Sequence, residues 1–295
     1  MGTKRVGWAR IRSLINENKN ALHPVLQTKS GAAGTQGGMK IIVGKNGDET
    51  GTSANPFAQS STQLYDFGTL LFYGDRTFRY AGIGGSGVTA GKCVAAAALT
   101  NANHRDMAVQ AAAAAGATSV AVTFGGDTDA AANLWAEGYI HINDVAGQGQ
   151  LLKIKSHAAV DAGVSTTCTL NLYDKVVTAL TTSSKADLIT APYNDLVVAP
   201  TSFAGPVVGV TVMDMTADYY GWVQIAGPCS VLYDQNPTGA TYALGDIMIR
   251  GDALAGAAMG VGVVTGDADI GHQVIGTLMV LNGNEDNVVV WLNCL

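Results

Sequence analysis

Five histidines, four cysteines, three acidic runs and one glycine-rich loop are the residues of this 295-residue chain whose types could do chemistry. His141 in GYIHIND and His157 in LLKIKSH stand close in sequence to Asp144 and Asp161, which makes a His–Asp pair the first general-base candidate. No GxSxG nucleophile elbow accompanies them, and a histidine on an alternating strand is the simpler reading. GIGGSG (Gly82–Gly87) has the glycine density of a phosphate-cradling loop. It lacks the GK[ST] ending, no helix pattern follows it, and Lys92 is not placed as a P-loop lysine, so it reads as a turn between strands.

The acidic runs are Asp127 with Asp129, Asp267 with Asp269 and His272, and Glu285 with Asp286. A hard cation needs several converging oxygens, and none of these runs has the DxDxDG spacing with a downstream Glu. They read as solvated turns, with a weak cation at GDADIGH as the alternative. Cys93, Cys168, Cys229 and Cys294 share no CxxC or metal-ligand spacing and sit among apolar residues, as small hydrophobes do. No catalytic residue, metal site or cofactor is expected.

The N-terminal segment carries a different signal. Within TKRVGWARIRSLINENKNAL, residues 3–22, Trp8, Ile11, Leu14 and Ile15 recur at spacings of three and four and predict a helix with one apolar stripe. Lys4, Arg5, Arg10 and Arg12 flank it. Pro24 ends the helix, because the residue before a proline is pushed towards extended geometry. Three dockings fit such a helix: a groove on a protein partner, a lipid interface, or nucleic-acid phosphates. Packing on its own body is the fourth alternative. The protein-partner reading is favoured, with Lys4, Arg5, Trp8, Arg10, Ile11, Arg12, Leu14 and Ile15 as the contact set. Contact with nucleic acid or membrane is the lesser expectation.

Charge supports that division. Residues 1–29 hold six Lys or Arg and one Glu, a balance of +5; the chain totals −6, so the remainder sums to −11. A basic head on an acidic body reads as a docking segment and argues against the body as a nucleic-acid binder. Residues 28–63 are rich in Gly, Ser, Thr and Asn, with only Lys40–Val43 as a strand pattern, and read as an extended linker. No secretory leader or membrane-spanning run is visible, so a soluble, cytoplasmically made protein is expected.

From Leu64 onwards short runs rich in Val, Ile, Leu and aromatics are cut by Gly, Asp, Asn and Pro every several residues. That pattern predicts an all-β chain of barrel or sandwich domains behind the N-terminal helix and extended arm. In the last quarter, strands are expected at Val223–Ile225, Val231–Tyr233, Ile247–Ile249, Val261–Val264, Val274–Leu281 and Val288–Leu292. Four regions follow: an anchoring helix over 1–27, the arm over 28–63, a main β-barrel from 64–116 plus 191–295, and a small β domain inserted at 117–190. Charged residues are only 14% of the chain against 37 glycines and much alanine, which suits a protein packed against neighbours.

Two stretches carry a resemblance. GDRTFRYAGIGGSGVTAGKCVAAA resembles a recurring hairpin-and-loop segment of tailed-bacteriophage virion proteins. YYGWVQIAGPCSVL, followed by LGDIMI, AGAAMGVGVV and VIGTLMVL, is similar to the barrel core of phage capsid decoration (cement) proteins. The likeness covers Phe67 to Ala97 and Tyr219 to Leu295 and is one of turns and strands, not of a catalytic motif. It implies a non-enzymatic structural protein of the virion, bound to the major capsid protein across capsomers, symmetric and commonly trimeric. The N-terminal helix and long linker depart from compact proteins of this kind, which leaves a neck, fibre or tail position open. A carbohydrate-binding adhesin using exposed Trp135, Tyr139 or Tyr193 as sugar platforms is the alternative.

Overall fold

A computed structural model describes residues 41–44 and 54–294, apart from 98, 127–128, 162, 203–204, 236–241 and 262–272. The helix expected over 1–27, and with it Lys4, Arg5, Trp8, Arg10, Ile11, Arg12, Leu14 and Ile15, lies outside the described residues. So does most of the expected 28–63 arm.

The described chain is all-β, without an α-helix and with a single short 3-10 turn at Ala102–His104. Its strands are β1 (Ile41–Gly44), β2 (Leu70–Tyr73), β3 (Arg76–Gly82), β4 (Cys93–Ala95), β5 (Met107–Val109), β6 (Ser119–Thr123), β7 (Tyr139–Asp144), β8 (Leu151–His157) and β9 (Thr167–Leu172). They continue as β10 (Lys185–Ile189), β11 (Val197–Val198), β12 (Val207–Thr211), β13 (Tyr220–Leu232), β14 (Ile247–Arg250), β15 (Ala258–Gly260), β16 (Val274–Val280) and β17 (Asn287–Asn293).

Six consecutive strands close on themselves in the order β10-β5-β6-β9-β8-β7. Closure follows from strict alternation. In YIHIND, KADLI and TCTLNL every second residue is buried, and Ile140, Ile142, Ala186, Leu188, Cys168 and Leu170 fill the interior. The barrel takes in β5, so it begins at Met107 rather than at 117. Met107 and Val109 point inward with Ala108 between them.

The remaining strands form one sheet organised by β13, a 13-residue strand. One of its edges pairs with β3; the other pairs first with β12, at Val210 and Thr211, and then with β17, from Ala226 to Leu232. Beyond β17 the order continues β16-β14-β15. β4 and β12 curl over that second half, so Cys93, Ala95, Val207 and Val210 share a core with Val231, Met248, Ile275, Val288, Val290 and Leu292. Burying each such Val, Leu or Ile side chain contributes roughly 1.5–3 kcal/mol. Leu71, Phe78, Tyr80 and Trp222 make a second, aromatic core on the β2–β3 side.

Candidate functional site

The histidines expected to meet acids are separated by the fold. His141 projects from the outer side of the barrel and its Nδ1 lies 3.1 Å from Oδ2 of Asp187, not near Asp144. Asp187 Oδ1 accepts from the Asp106 backbone N–H at 2.9 Å and from Asn143 Nδ2 at 3.2 Å. No Ser, Thr or Cys side chain bonds the His141 ring among the described residues. His157 turns into the barrel instead. The register of β8 slips between Ile154 and Ser156, and this bulge moves His157 to the inward face after Leu152 and Ile154.

Inside the barrel end His157 joins His104, Phe124 and Trp135. Ring centroids are 4.9 Å apart for His104–Phe124, 4.7 Å for His104–Trp135 and 5.4 Å for Phe124–Trp135, all edge-to-face. The alternative reading named Trp135, Tyr139 or Tyr193 as exposed sugar platforms, and the structure decides the matter for Trp135. It is 1% exposed and forms the centre of this cluster, which removes it from any sugar groove. His104 Nε2 is buried without a hydrogen-bond partner. Burial pushes the pKa of both imidazoles below the ordinary value; for His157 the Ala158 carbonyl opposes that shift.

The cysteines are all unpaired as disulfides. Burial pushes the thiols up, to about 11 for Cys168 and about 12 for Cys229 and Cys294, so they are poor nucleophiles. Among the described residues no three His, Cys, Asp or Glu side chains converge as metal ligands. The GDADIGH run lies outside the described residues, as do Asp127 and Thr128. Gly82–Gly87 is a connection between β3 and the strand-like contact of Val88 with Met215, its backbone bonded to Tyr193, Tyr219 and Leu196.

A carboxyl group ties the two β units together. Glu137, in the turn before β7, adopts φ of 62° and accepts from Gln63 Nε2 at 2.9 Å and from the Phe67 backbone N–H. Burial raises its pKa, and those two donors oppose the rise.

The feature best suited to a partner is a surface. On β17, Val288, Val290 and Leu292 enter the core, so Val289 and Trp291 point outward. Trp291 is aligned with Thr277 on one side and Pro228 on the other, and Thr277 is aligned in turn with Ile247. Val280 pairs with Val289, and Met279 and Leu281 are exposed beside it. Ile247 and Trp291 are 49% and 48% exposed. A row of Pro228, Trp291, Thr277 and Ile247, uncharged and apolar but for the threonine hydroxyl, therefore crosses four adjacent strands on the solvent side. Stretches 242–249 and 274–293 contain no Lys or Arg, and their only acids are Asp246, Glu285 and Asp286 at the strand ends. Exposed apolar groups gathered on one sheet face are the kind of surface that binding partners use.

Sequence reading missed this face because VVVWL is apolar at every position, so alternation does not separate inside from outside. The usable signal was that continuity itself, since a strand apolar on both faces is covered on both. No family model, no curated protein and no solved structure matches the chain.

Proposed function

We propose that this chain is a non-enzymatic structural protein of a tailed-phage virion, a capsid decoration protein that binds the major capsid protein across capsomers and stabilises the shell. The observation that carries this reading is the uncharged outward face of β13, β17, β16 and β14 around Trp291, Thr277 and Ile247. An apolar core with a polar rim is how a repeated interface gains affinity. Symmetry then multiplies modest contacts, and a homotrimer is the favoured form. The residue pattern of Phe67–Ala97 and Tyr219–Leu295 supports the same reading, and the basic segment 1–27 serves as the anchoring arm.

The experiment is imaging of purified particles of the phage that encodes the chain. Density for the β body over the shell, repeating with capsid symmetry, is expected. Absence from the shell, or a position on the tail alone, would refute the assignment. Removing residues 1–30 is expected to lower shell occupancy while the purified body keeps its β spectrum; unchanged occupancy would remove the arm from the proposed role.

A further inference from the structure

We propose that the depression where β13 changes neighbours takes one acidic side chain, Asp or Glu, of the protein that covers the Trp291 row, with its carboxylate on the Arg76 guanidinium and an adjoining peptide N–H turned to Gln224. This rests on the reading of that row as the shell-binding surface.

An irregularity in β13 builds the depression. Its pairing with β3 slips between Gln224 and Ala226. β12 pairs no further along β13 than Gln224, and β17 begins at Ala226. At Gly227, φ of 87° and the lack of a Cβ let the β2–β3 turn close in, with Arg76 Cα 3.2 Å from where a Cβ would stand. The hollow left there measures about 320 Å³, and Phe57, Arg76, Gln224, Pro228, Ser230 and Asn287 are among the residues lining it.

Arg76 supplies the charge. Its guanidinium carbon lies 5.4 Å from the Phe57 ring centroid and 5.7 Å from those of Tyr73 and Phe78, so three rings hold it in place. Arg79 and Arg250 donate to backbone carbonyls. The Arg76 guanidinium meets no hydrogen-bond acceptor or carboxylate among the described residues, its neighbour Asp75 included. The lining of the hollow contains this one cation and no acid. A planar guanidinium presents a fork that matches a carboxylate, and one charge balances one. A phosphate dianion would be left short of positive charge.

Gln224 supplies the second anchor. It is 0% exposed, and its Nε2 donates to the Ala226 carbonyl at 3.1 Å and the Pro228 carbonyl at 2.8 Å. Those two acceptors fix the amide, so Oε1 can only accept, and it has no donor among the described residues. A buried acceptor of this kind calls for an N–H or O–H from an occupant.

Continuity with the row identifies the occupant as a protein segment. Pro228 is the register partner of Trp291, and Ser230 that of Val289. A chain laid over the Trp291 row therefore passes the mouth of the hollow. It can lower an acidic side chain onto Arg76 while its backbone offers the N–H. The contact segment of the partner is then an Asp or Glu flanked by apolar residues. One ion pair at the margin of an apolar row sets register and partner choice.

The probe is the blocked tripeptide acetyl-Leu-Glu-Leu-amide, added at up to about 10 mM to the full chain and followed by NMR. Saturable shifts are expected at the Arg76 Nε–H and at the Gly91 and Asn287 amides, with an affinity that falls several-fold from low to high salt. The Gln counterpart of the peptide, and free glutamate, should bind at least tenfold more weakly. Arg76→Gln should abolish the shifts at Gly91 and Asn287, and Arg76→Lys should keep part of them. Ser230→Phe, at an exposed position, fills the hollow and should abolish them too; it carries the test if Arg76→Gln lowers the melting temperature. Equal binding of the Glu and Gln peptides, equal binding of free glutamate, shifts confined to other parts of the body, or none would overturn the proposal. Shell binding of the wild-type chain is scored separately. Peptide binding without shell binding would leave the carboxylate site standing and defeat the decoration reading; shell binding without peptide binding would do the reverse.

Discussion

The Trp135 backbone N–H donates to Nε2 of His157 at 3.1 Å, and the two rings lie with centroids 4.9 Å apart. The other ring nitrogen, Nδ1, is 2.8 Å from the Ala158 carbonyl and must donate to it. Both nitrogens are thereby committed, and the ring is held neutral in one tautomer. A second proton on Nε2 would set a donor against a donor in the middle of an aromatic cluster.

Acid should therefore loosen the barrel. His104 and His157 have folded pKa values lowered by burial, whereas the unfolded chain titrates near ~6.5. Below that value the unfolded state binds protons first, so the histidine contribution is whole above it and is lost as pH falls towards the folded values. Denaturant melts should show stability level near neutrality and falling below about pH 6.5. His104→Phe replaces the unpartnered Nε2 with ring carbon and should gain roughly 1 kcal/mol with a shallower acid slope. An unchanged slope would contradict this account.

Gly227 makes a second prediction. It has φ of 87° within β13, and a Cβ there would run into the Asp75 carbonyl oxygen. Gly227→Ala should cost about 1–3 kcal/mol from backbone strain, with more from the displaced turn. Thermal melting of purified variants would measure it, and a cost under about 0.5 kcal/mol, the range of an ordinary surface change, would show that the turn relaxes freely.

The same residue shows where the sequence was readable and where it was not. Gly227–Pro228 reads as a break, so separate strands around Ile225 and Val231 are the natural expectation; the chain instead runs straight through as one strand. The two edges explain it. β3 pairs up to Ala226 and β17 begins there, so Gly and Pro fall where the neighbours change. Runs such as YIHIND and TCTLNL were legible because their polar and apolar sides differ. The neighbouring run VVTALTTSS, residues 176–184, reads as a stronger strand than Lys185–Ile189, although Ala186 and Leu188 alternate inward, because the buried half of Lys185–Ile189 is small and its outward half charged. VVTALTTSS itself contributes only a bridge between Ala113 and Leu180. The inward turn of His157 was not legible, since it depends on a bulge that only the neighbouring strand reveals.

Glu137 predicts a local effect. Its carboxylate holds the Gln63 side chain and the Phe67 amide against the barrel. Glu137→Ala should speed amide hydrogen exchange at Phe67 and its neighbours at least tenfold, while Leu170 in the barrel core keeps its protection. Equal loss at both would mean that the carboxylate supports the barrel itself rather than the junction.

The proposed function sets the row around Trp291 against the shell. Its most direct test is co-sedimentation of the full chain, and of its Thr277→Arg/Trp291→Arg variant, with purified shells stripped of the protein. The wild type should saturate at a copy number commensurate with capsid symmetry. The variant, with its melting temperature within a few degrees of wild type, should lose at least tenfold in affinity. Equal binding by the two, or no binding by either, would contradict the claim.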